Sequence, residues 1–267
     1  MPPEPDYFPD PVAAYDRLAL HFDHLARGRR QYLEGVEKLI ISGVQPNSRS
    51  LLDVGAGDGR RALRIAARAG LQRVVLLEPS RQMARQTGEA EVWALRLEGL
   101  DSQKAPASGN SFDVITCLWN VLGHIQPERT RGQVLSSLRA MLSPDGVLYV
   151  DVNHRYNVSS YGAVRTAFRF LQDRLWPSEF NGDVTAKWDL QGSSCSTYGH
   201  VFTDREMRLL AAAAGLEVHE RIVVDYDTGE VRRFGFQGNL LYILRPRRSE
   251  SALARAVQTS STSASAI

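Results

Sequence analysis

The chain has 267 residues, 43% of them hydrophobic and 23% charged, which excludes collagenous, disordered and disulfide-scaffold classes and points to one catalytic-size globular domain with insertions. Thirty-two basic residues against 30 acidic ones leave a formal charge of +2, so charge alone gives little support for a polyanion partner. Two cysteines, Cys117 and Cys195, are too few for a disulfide framework or a thiolate metal cluster and are read as buried or incidental.

The opening stretch MPPEPDYFPDPV is acidic and proline-rich where a secretory signal needs a basic region followed by an apolar one. No segment approaches the ~20 apolar residues that span a bilayer. A cytoplasmic protein with no membrane association is expected. From Pro11 to Ser42, apolar residues such as Leu18, Phe22, Leu25, Val36 and Ile40 recur at three- and four-residue spacings, which predicts N-terminal helices over residues 1–45 with a break near ARGRR. SLLDVGA then reads as an apolar strand with a glycine stop, RRALRIAARAG as a helix ending at Gly70, and RVVLLEPS as a second strand ending at an acid. The alternation continues with a helix around RQMARQT, strands EVWALRL and FDVITCLW, a helix RTRGQVLSSLRAML and a strand GVLYVDV. Apolar strands separated by helices imply a mostly parallel sheet covered on both faces, in a domain running from 46 to 246.

After Val152 the rhythm stops for almost fifty residues, an insertion over 153–202 that is too long for an idle connection. Tyr161, Val164, Phe168, Leu171 and Leu175 fall on one helical face within it, and Trp176, Phe180, Trp188 and Tyr198 add aromatic surface, so a lid helix over a substrate is expected, with packing on the sheet edge as the compatible alternative. TDREMRLLAAAAGL is a further helix, EVHERIVVDYD and GNLLYILRP are the last strands, and the small, polar residues from 247 to 267 predict a disordered tail.

The glycines of LLDVGAGDGR carry the chemistry. A glycine-rich turn between a first strand and its helix lets a ligand approach bare main chain near unpaired helix amides. Gly55, Gly57 and Gly59 follow G-x-G-x-G, not the G-x-G-x-x-G of dinucleotide sites, and Arg60 and Arg61 stand where a phosphate-binding loop needs lysine and a hydroxyl.

Asp53-x-Gly55-x-Gly57-x-Gly59, with Glu78 closing the next strand, resembles the class I S-adenosylmethionine-dependent methyltransferases over Val12 to Pro246, except in the insertion. The resemblance implies a Rossmann-like α/β fold with a seven-stranded sheet, cap helices at the N-terminus and an inserted lid. It implies that the turn (Asp53, Gly55, Ala56, Gly57, Gly59) passes under the amino acid part of S-adenosylmethionine and that Glu78 accepts hydrogen bonds from both ribose hydroxyls, flanked by Pro79 and Met83. A carboxylate suits a diol because it accepts two donors at once. LDSQKAPASGNSFDVI resembles the stretch whose acid meets the adenine amino group, which implies Asp101 beside Leu100, with Glu98 as a competitor. Cys117, Leu118, Trp119 and Asn120 would line the methyl end, and Tyr15 in the cap would touch the methionine end or pack apolarly.

Methyl transfer to a small-molecule acceptor by in-line displacement is the function this implies, on oxygen, nitrogen or carbon, with S-adenosylhomocysteine as product. Where a base is needed, His124, His154, Tyr156, His200 and Asp189 are the candidates, each also readable as structural. Arg155, Arg165, Arg169, Arg174 and Lys187 would meet an anionic substrate or form a solvated helix face. A tRNA methyltransferase is an alternative, since LALHFDHLARGRR and YGHVFTDREM resemble segments of the wobble-uridine enzymes; a non-catalytic relative is another, and a nicotinamide oxidoreductase is opposed by the glycine spacing. No acid and amide cluster is complete enough for a magnesium site, so no metal is expected, and a monomer or homodimer is equally compatible with the sequence.

Overall fold

The structure is a computed structural model that describes residues 10–85, 87, 90–100, 111–189 and 194–247, with the side chain of Asp189 outside that description. Three N-terminal helices, α1 (Pro11–Leu18), α2 (Phe22–Arg27) and α3 (Arg30–Gly43), precede the sheet. Asp10 caps α1 by accepting from the Val12 and Ala13 amides, and the chain breaks at Gly28, within the predicted ARGRR.

The domain then alternates β1 (Ser50–Val54), α4 (Arg60–Ala69), β2 (Arg73–Leu77), α5 (Arg81–Ala84), β3 (Glu91–Trp93), β4 (Phe112–Cys117), α6 (Glu128–Ala140) and β5 (Leu142–Val152). The insertion carries α7 (Val158–Tyr161), α8 (Ala163–Leu175), β6 (Asp183–Asp189) and β7 (Ser194–His200), and the chain closes with α9 (Asp204–Ala213), β8 (Leu216–Val224), β9 (Val231–Arg232) and β10 (Asn239–Pro246). The main sheet has eight strands in the order β3-β2-β1-β4-β5-β10-β8-β9. The expected count of seven is therefore one short: the two-residue β9 pairs with β8 just after the DYDTGE turn and is too short to leave a periodic signal. β1 to β5 run parallel, whereas β10 is antiparallel to both β5 and β8.

Strand alternation sends side chains to opposite faces. Leu52, Val54, Val75 and Leu77 pack with Leu135 and Leu138 of α6 and Met207 of α9; Leu51, Leu76 and Val114 pack with Val36 and Ile40 of α3 and Ile65 of α4. Each fully buried aliphatic side chain of this kind contributes about 1.5–3 kcal/mol, which makes the two layers the chief source of stability. The order reverses direction at β1, with β2 on one side and β4 on the other, and ligands of open α/β sheets bind beyond the strand ends at such a switch point.

The insertion carries α8 where a lid helix is expected. Its apolar helix face does not close over the sheet: Val164 is 86% exposed and Phe168 67%, with Leu171, Leu175, Trp176 and Phe180 also exposed. The second half forms the β6–β7 hairpin, which the sequence reading passed over, and it is the hairpin that leans on α1, with Cys195 buried beside Ala14 and Leu18. Among the described residues no helix is long and apolar enough to cross a membrane.

Candidate active site

The turn after β1 is built by backbone geometry. Gly55, Gly57 and Gly59 have φ of 67°, 59° and 72°, the left-handed region that side chains disfavour. A Cβ on Gly55 would also meet Val121 at 2.5 Å, and one on Gly59 would meet Leu76 at 2.5 Å, whereas one on Gly57 would reach Met83 and Phe22 across the mouth of a cavity. The Gly55 and Ala56 amides donate to the Leu77 carbonyl at 2.8 and 3.1 Å, which ties the turn to the end of β2.

Glu78 stands one residue beyond β2 and is 6% exposed. Its two oxygens accept from the Gly57 and Ser80 amides, both at 2.8 Å, so two of about four acceptor positions remain for a ligand. Burial pushes its pKa up to about 7, against the pull of those two amide bonds. Asp53 is buried beneath the turn; Thr116 donates to one of its oxygens at 2.6 Å and the other has no partner among the described residues. Burial raises the Asp53 pKa, opposed by the positive charge of Arg61, whose own Nε is buried and unpartnered.

Above the turn lies a cavity of about 650 Å³, within the range of small-molecule sites. Of the residues implied by the sequence, Tyr15, Gly55, Ala56, Gly57, Glu78, Pro79, Met83, Leu118 and Trp119 line it, whereas Asp53, Gly59, Leu100, Cys117 and Asn120 do not. Asp101 lies outside the described residues, and its competitor Glu98 is at the wall. Phe22 and Arg61 also line the cavity and were missed by sequence reasoning, because nothing local marks a helical phenylalanine or a second arginine as facing a ligand.

The cap is fastened by polar contacts. Asp16 of α1 accepts from Ser80 Oγ at 2.7 Å and from the Gln82 amide at 3.1 Å, and Tyr15 bonds His124 Nε2 at 3.0 Å while His124 Nδ1 lies 2.8 Å from the Tyr198 carbonyl. A carbonyl only accepts, so the network assigns the proton to Nδ1 and has Tyr15 donate to Nε2. Burial lowers the His124 pKa, which keeps this ring neutral.

The other base candidates sit elsewhere. His154 Nδ1 lies 2.8 Å from the Gly235 carbonyl, Tyr156 donates to Asp173 at 2.5 Å, and His200, fully buried, holds Asp183 at 2.6 Å and Glu206 at 2.8 Å. None of the three lines the cavity. Arg155 joins the same cluster through Asp173 at 3.1 Å and Glu206 at 2.9 Å, so this arginine of the insertion anchors it internally. Glu206 is at once a cluster member and half of the capping box of α9, exchanging bonds with Thr203. Burial would raise its pKa, but the bond from His200 and the charges of Arg155 and Arg131 hold it below the ordinary value. Among the described residues no group of three or more His, Cys, Asp and Glu side chains is arranged to hold a metal ion.

The residues present fit S-adenosylmethionine: a glycine turn open to main chain, a buried carboxylate with two free acceptor positions at the neighbouring strand tip, and an orphaned acid beneath. Residues 23–221 match the family model described as a methyltransferase domain. No curated protein matches the chain. The fold is similar to that of a methyltransferase of Haloferax volcanii solved with the Trm112 activator (TM-score 0.62, 15% identity, 90% of this chain and 98% of that one). It is also similar to 1,6-didemethyltoxoflavin-N1-methyltransferase of Burkholderia thailandensis, solved with its acceptor and S-adenosylhomocysteine (0.56, 17%, 89% and 88%). A third likeness is to an amino pentose methyltransferase of Micromonospora echinaspora with S-adenosylmethionine bound (0.54, 18%, 85% and 96%). With the glycine turn, the Glu78 carboxylate and a domain match over most of its length, the chain belongs to the class I S-adenosylmethionine-dependent methyltransferases, enzymes that use S-adenosylmethionine as cofactor.

Proposed function

We propose that the protein transfers the methyl group of S-adenosylmethionine to a small-molecule acceptor by in-line displacement. The observation that carries this reading is the capped cavity: α1 lies across it, fastened by Tyr15 to His124 and by Asp16 to Ser80, which leaves room for a small molecule beside the cofactor and little for a folded nucleic acid. Half of the eight basic side chains at its wall are paired, Arg60 with Asp58 and Asp23, Arg64 with Glu37, Arg30 with Glu34 and Arg96 with Asp10, which lowers the positive charge open to phosphates. Two of the similar folds belong to enzymes whose named acceptors are an amino pentose and a toxoflavin precursor, which agrees with this reading.

The cofactor supplies a methylsulfonium, already an activated electrophile. What the chain adds is placement and dryness. Glu78 holds the ribose diol, the Gly57 main chain leaves the methionine portion room, and Phe22, Met83 and Trp119 exclude water from the methyl end. His124 is the one base candidate at the wall, and both its nitrogens are committed, Nδ1–H to the Tyr198 carbonyl and Nε2 to Tyr15. It acts as a positioning residue for the cap, and the acceptor loses its proton to solvent or a neighbouring group after transfer. Calorimetry with S-adenosylhomocysteine and NADH, followed by methylation assays with radiolabelled S-adenosylmethionine on small-molecule pools and on bulk tRNA, tests the reading. Binding of the nucleoside and labelling of the small-molecule pool are expected; labelling of tRNA alone would overturn it.

A further inference from the structure

The helix α8 is mounted in the inverse of the usual sense. A surface helix turns its apolar stripe to the core and its polar face to water. Here the face set against the domain is polar: Thr166 is buried, and Asp173, two turns on, accepts from Arg155 at 3.1 Å, from Tyr156 Oη at 2.5 Å and from Asn181 Nδ2 at 2.9 Å. Arg169, towards the same side, donates to the Arg155 carbonyl at 3.4 Å and lies 4.4 Å over the Tyr161 ring. Half a turn away, Val164, Phe168, Leu171 and Leu175 face water, 86%, 67%, 54% and 60% exposed. None of these four lines the cofactor cavity.

The outward residues are spaced four, three and four apart, the a/d repeat of a coiled-coil seam, and Thr166 and Asp173 hold the f positions opposite it. One helix is therefore anchored by its back and presents a complete seam at its front. Phe170, Trp176 and Phe180 are also more than half exposed. Taking about 150–250 Å² for a whole aromatic side chain and somewhat less for an aliphatic one, α8 and the turn after it leave on the order of 800 Å² of apolar side chain in water. The largest apolar patch of a typical soluble monomer is about 300–600 Å², whereas a stable interface takes about 800 Å² from each partner.

We propose that this seam is a homodimer interface, in which a second copy of the chain lays its α8 antiparallel on the first about a twofold axis between Phe168 and Leu171. A twofold interface uses the same patch on both copies, so one helix face supplies both halves. The antiparallel register sets Val164 against the partner's Leu175 and Phe168 against the partner's Leu171, so the two phenylalanine rings do not meet head-on. The e and g positions beside the seam are Arg165, Ala167, Gln172 and Arg174. In this register Arg165 runs beside the partner's Gln172 and Arg174 beside the partner's Ala167, so like charges are kept apart. A helix that lies on lipid keeps a solvated, cation-rich polar face, and that face of α8 is taken up by the domain through Asp173 and Arg169.

Sedimentation equilibrium on the full chain and on its Phe168→Glu and Leu171→Lys variants tests it. The unsubstituted protein is expected to sediment with the mass of two chains. Each variant should dimerise at least about tenfold more weakly, because a charge set into the seam loses water without gaining a partner. An equimolar mixture of the two variants should recover the dimer, since the antiparallel register brings the introduced carboxylate beside the introduced ammonium. Both native side chains are more than half exposed, so the fold does not rest on them, and far-UV circular dichroism checks this. Leu175→Glu, at an equally exposed seam position, takes the place of either variant that loses helical signal. An unsubstituted protein that stays monomeric across its soluble range, a dimer indifferent to the substitutions, or variants whose mixture stays monomeric would overturn the interface. So would a monomer that binds phosphatidylserine vesicles and loses that binding in the variants, which would make α8 a lipid-contacting helix.

Discussion

The cofactor corner and the insertion are held together by different physics. At the corner, three strand ends and a glycine turn do nearly everything with main chain: Gly55, Ala56 and Gly57 amides find Leu77 and Glu78, and the side chains that matter are few. The insertion is pinned by a buried ionic cluster assembled from α8, β6, β7 and α9, in which Arg155, Asp173, Asp183, His200 and Glu206 satisfy one another. Main-chain architecture tolerates the loss of a side chain; a buried charge cluster does not, because removing one member strands the others away from water. A mutation in the insertion should therefore cost stability, and one in the corner should cost binding.

Arg155→Met is the harshest way to break that contrast. Asp173 and Glu206 would lose their shared cation, and unfolding in urea should show a loss of about 3–5 kcal/mol. Affinity of the folded fraction for S-adenosylhomocysteine should stay within about twofold, since no cavity residue is touched. Glu78→Ala is the mirror case: calorimetry should show binding weakened by about 1.5–3 kcal/mol, the range for hydrogen bonds to a charged group, with little change in the urea midpoint. An equal fall in both quantities for either variant would mean the two regions are one cooperative unit.

The pH dependence sharpens the same point. Glu78 has a folded pKa raised to about 7 from 4.5, so its contribution to stability is full below 4.5 and is lost as pH rises through 7. The proposed grip on a ribose diol runs the other way, because the ionised form can accept from both hydroxyls and the protonated form cannot. Cofactor affinity should rise by up to about tenfold per pH unit across that window and level off above it, while the stability of the ligand-free protein declines. A flat affinity profile from pH 5 to 8 would remove the ribose assignment. The smallest effect is expected from Tyr15→Phe, which deletes the bond to His124 and keeps the ring packed at 5.9 Å from Trp188: about 1 kcal/mol in stability, read most clearly as faster release of S-adenosylhomocysteine in stopped-flow.

Much of the corner was legible before folding, for a local reason. A turn that needs positive φ at alternate positions writes itself as glycines, and a strand that ends at a ligand writes itself as an apolar run closed by an acid, so Gly55, Gly57, Gly59 and Glu78 announce their places. The insertion was less legible for the converse reason. Helical spacing correctly located α8, but periodicity says which residues share a face and not what that face meets; Val164 and Phe168 meet solvent. His154, Tyr156 and His200 drew notice as titratable groups near a predicted lid, and the fold turned them toward Gly235, Asp173, Asp183 and Glu206.

By itself, then, the order of residues determined the alternation of strands and helices and the cofactor turn, because each rests on interactions among residues close in the chain. Tertiary structure alone decided that α1 would close the cavity through Tyr15 and Asp16, that Phe22 and Arg61 would face it, and that Trp119 would meet Tyr226, 107 positions away. Those contacts join segments whose proximity depends on how the whole sheet is wound, and no local pattern records that.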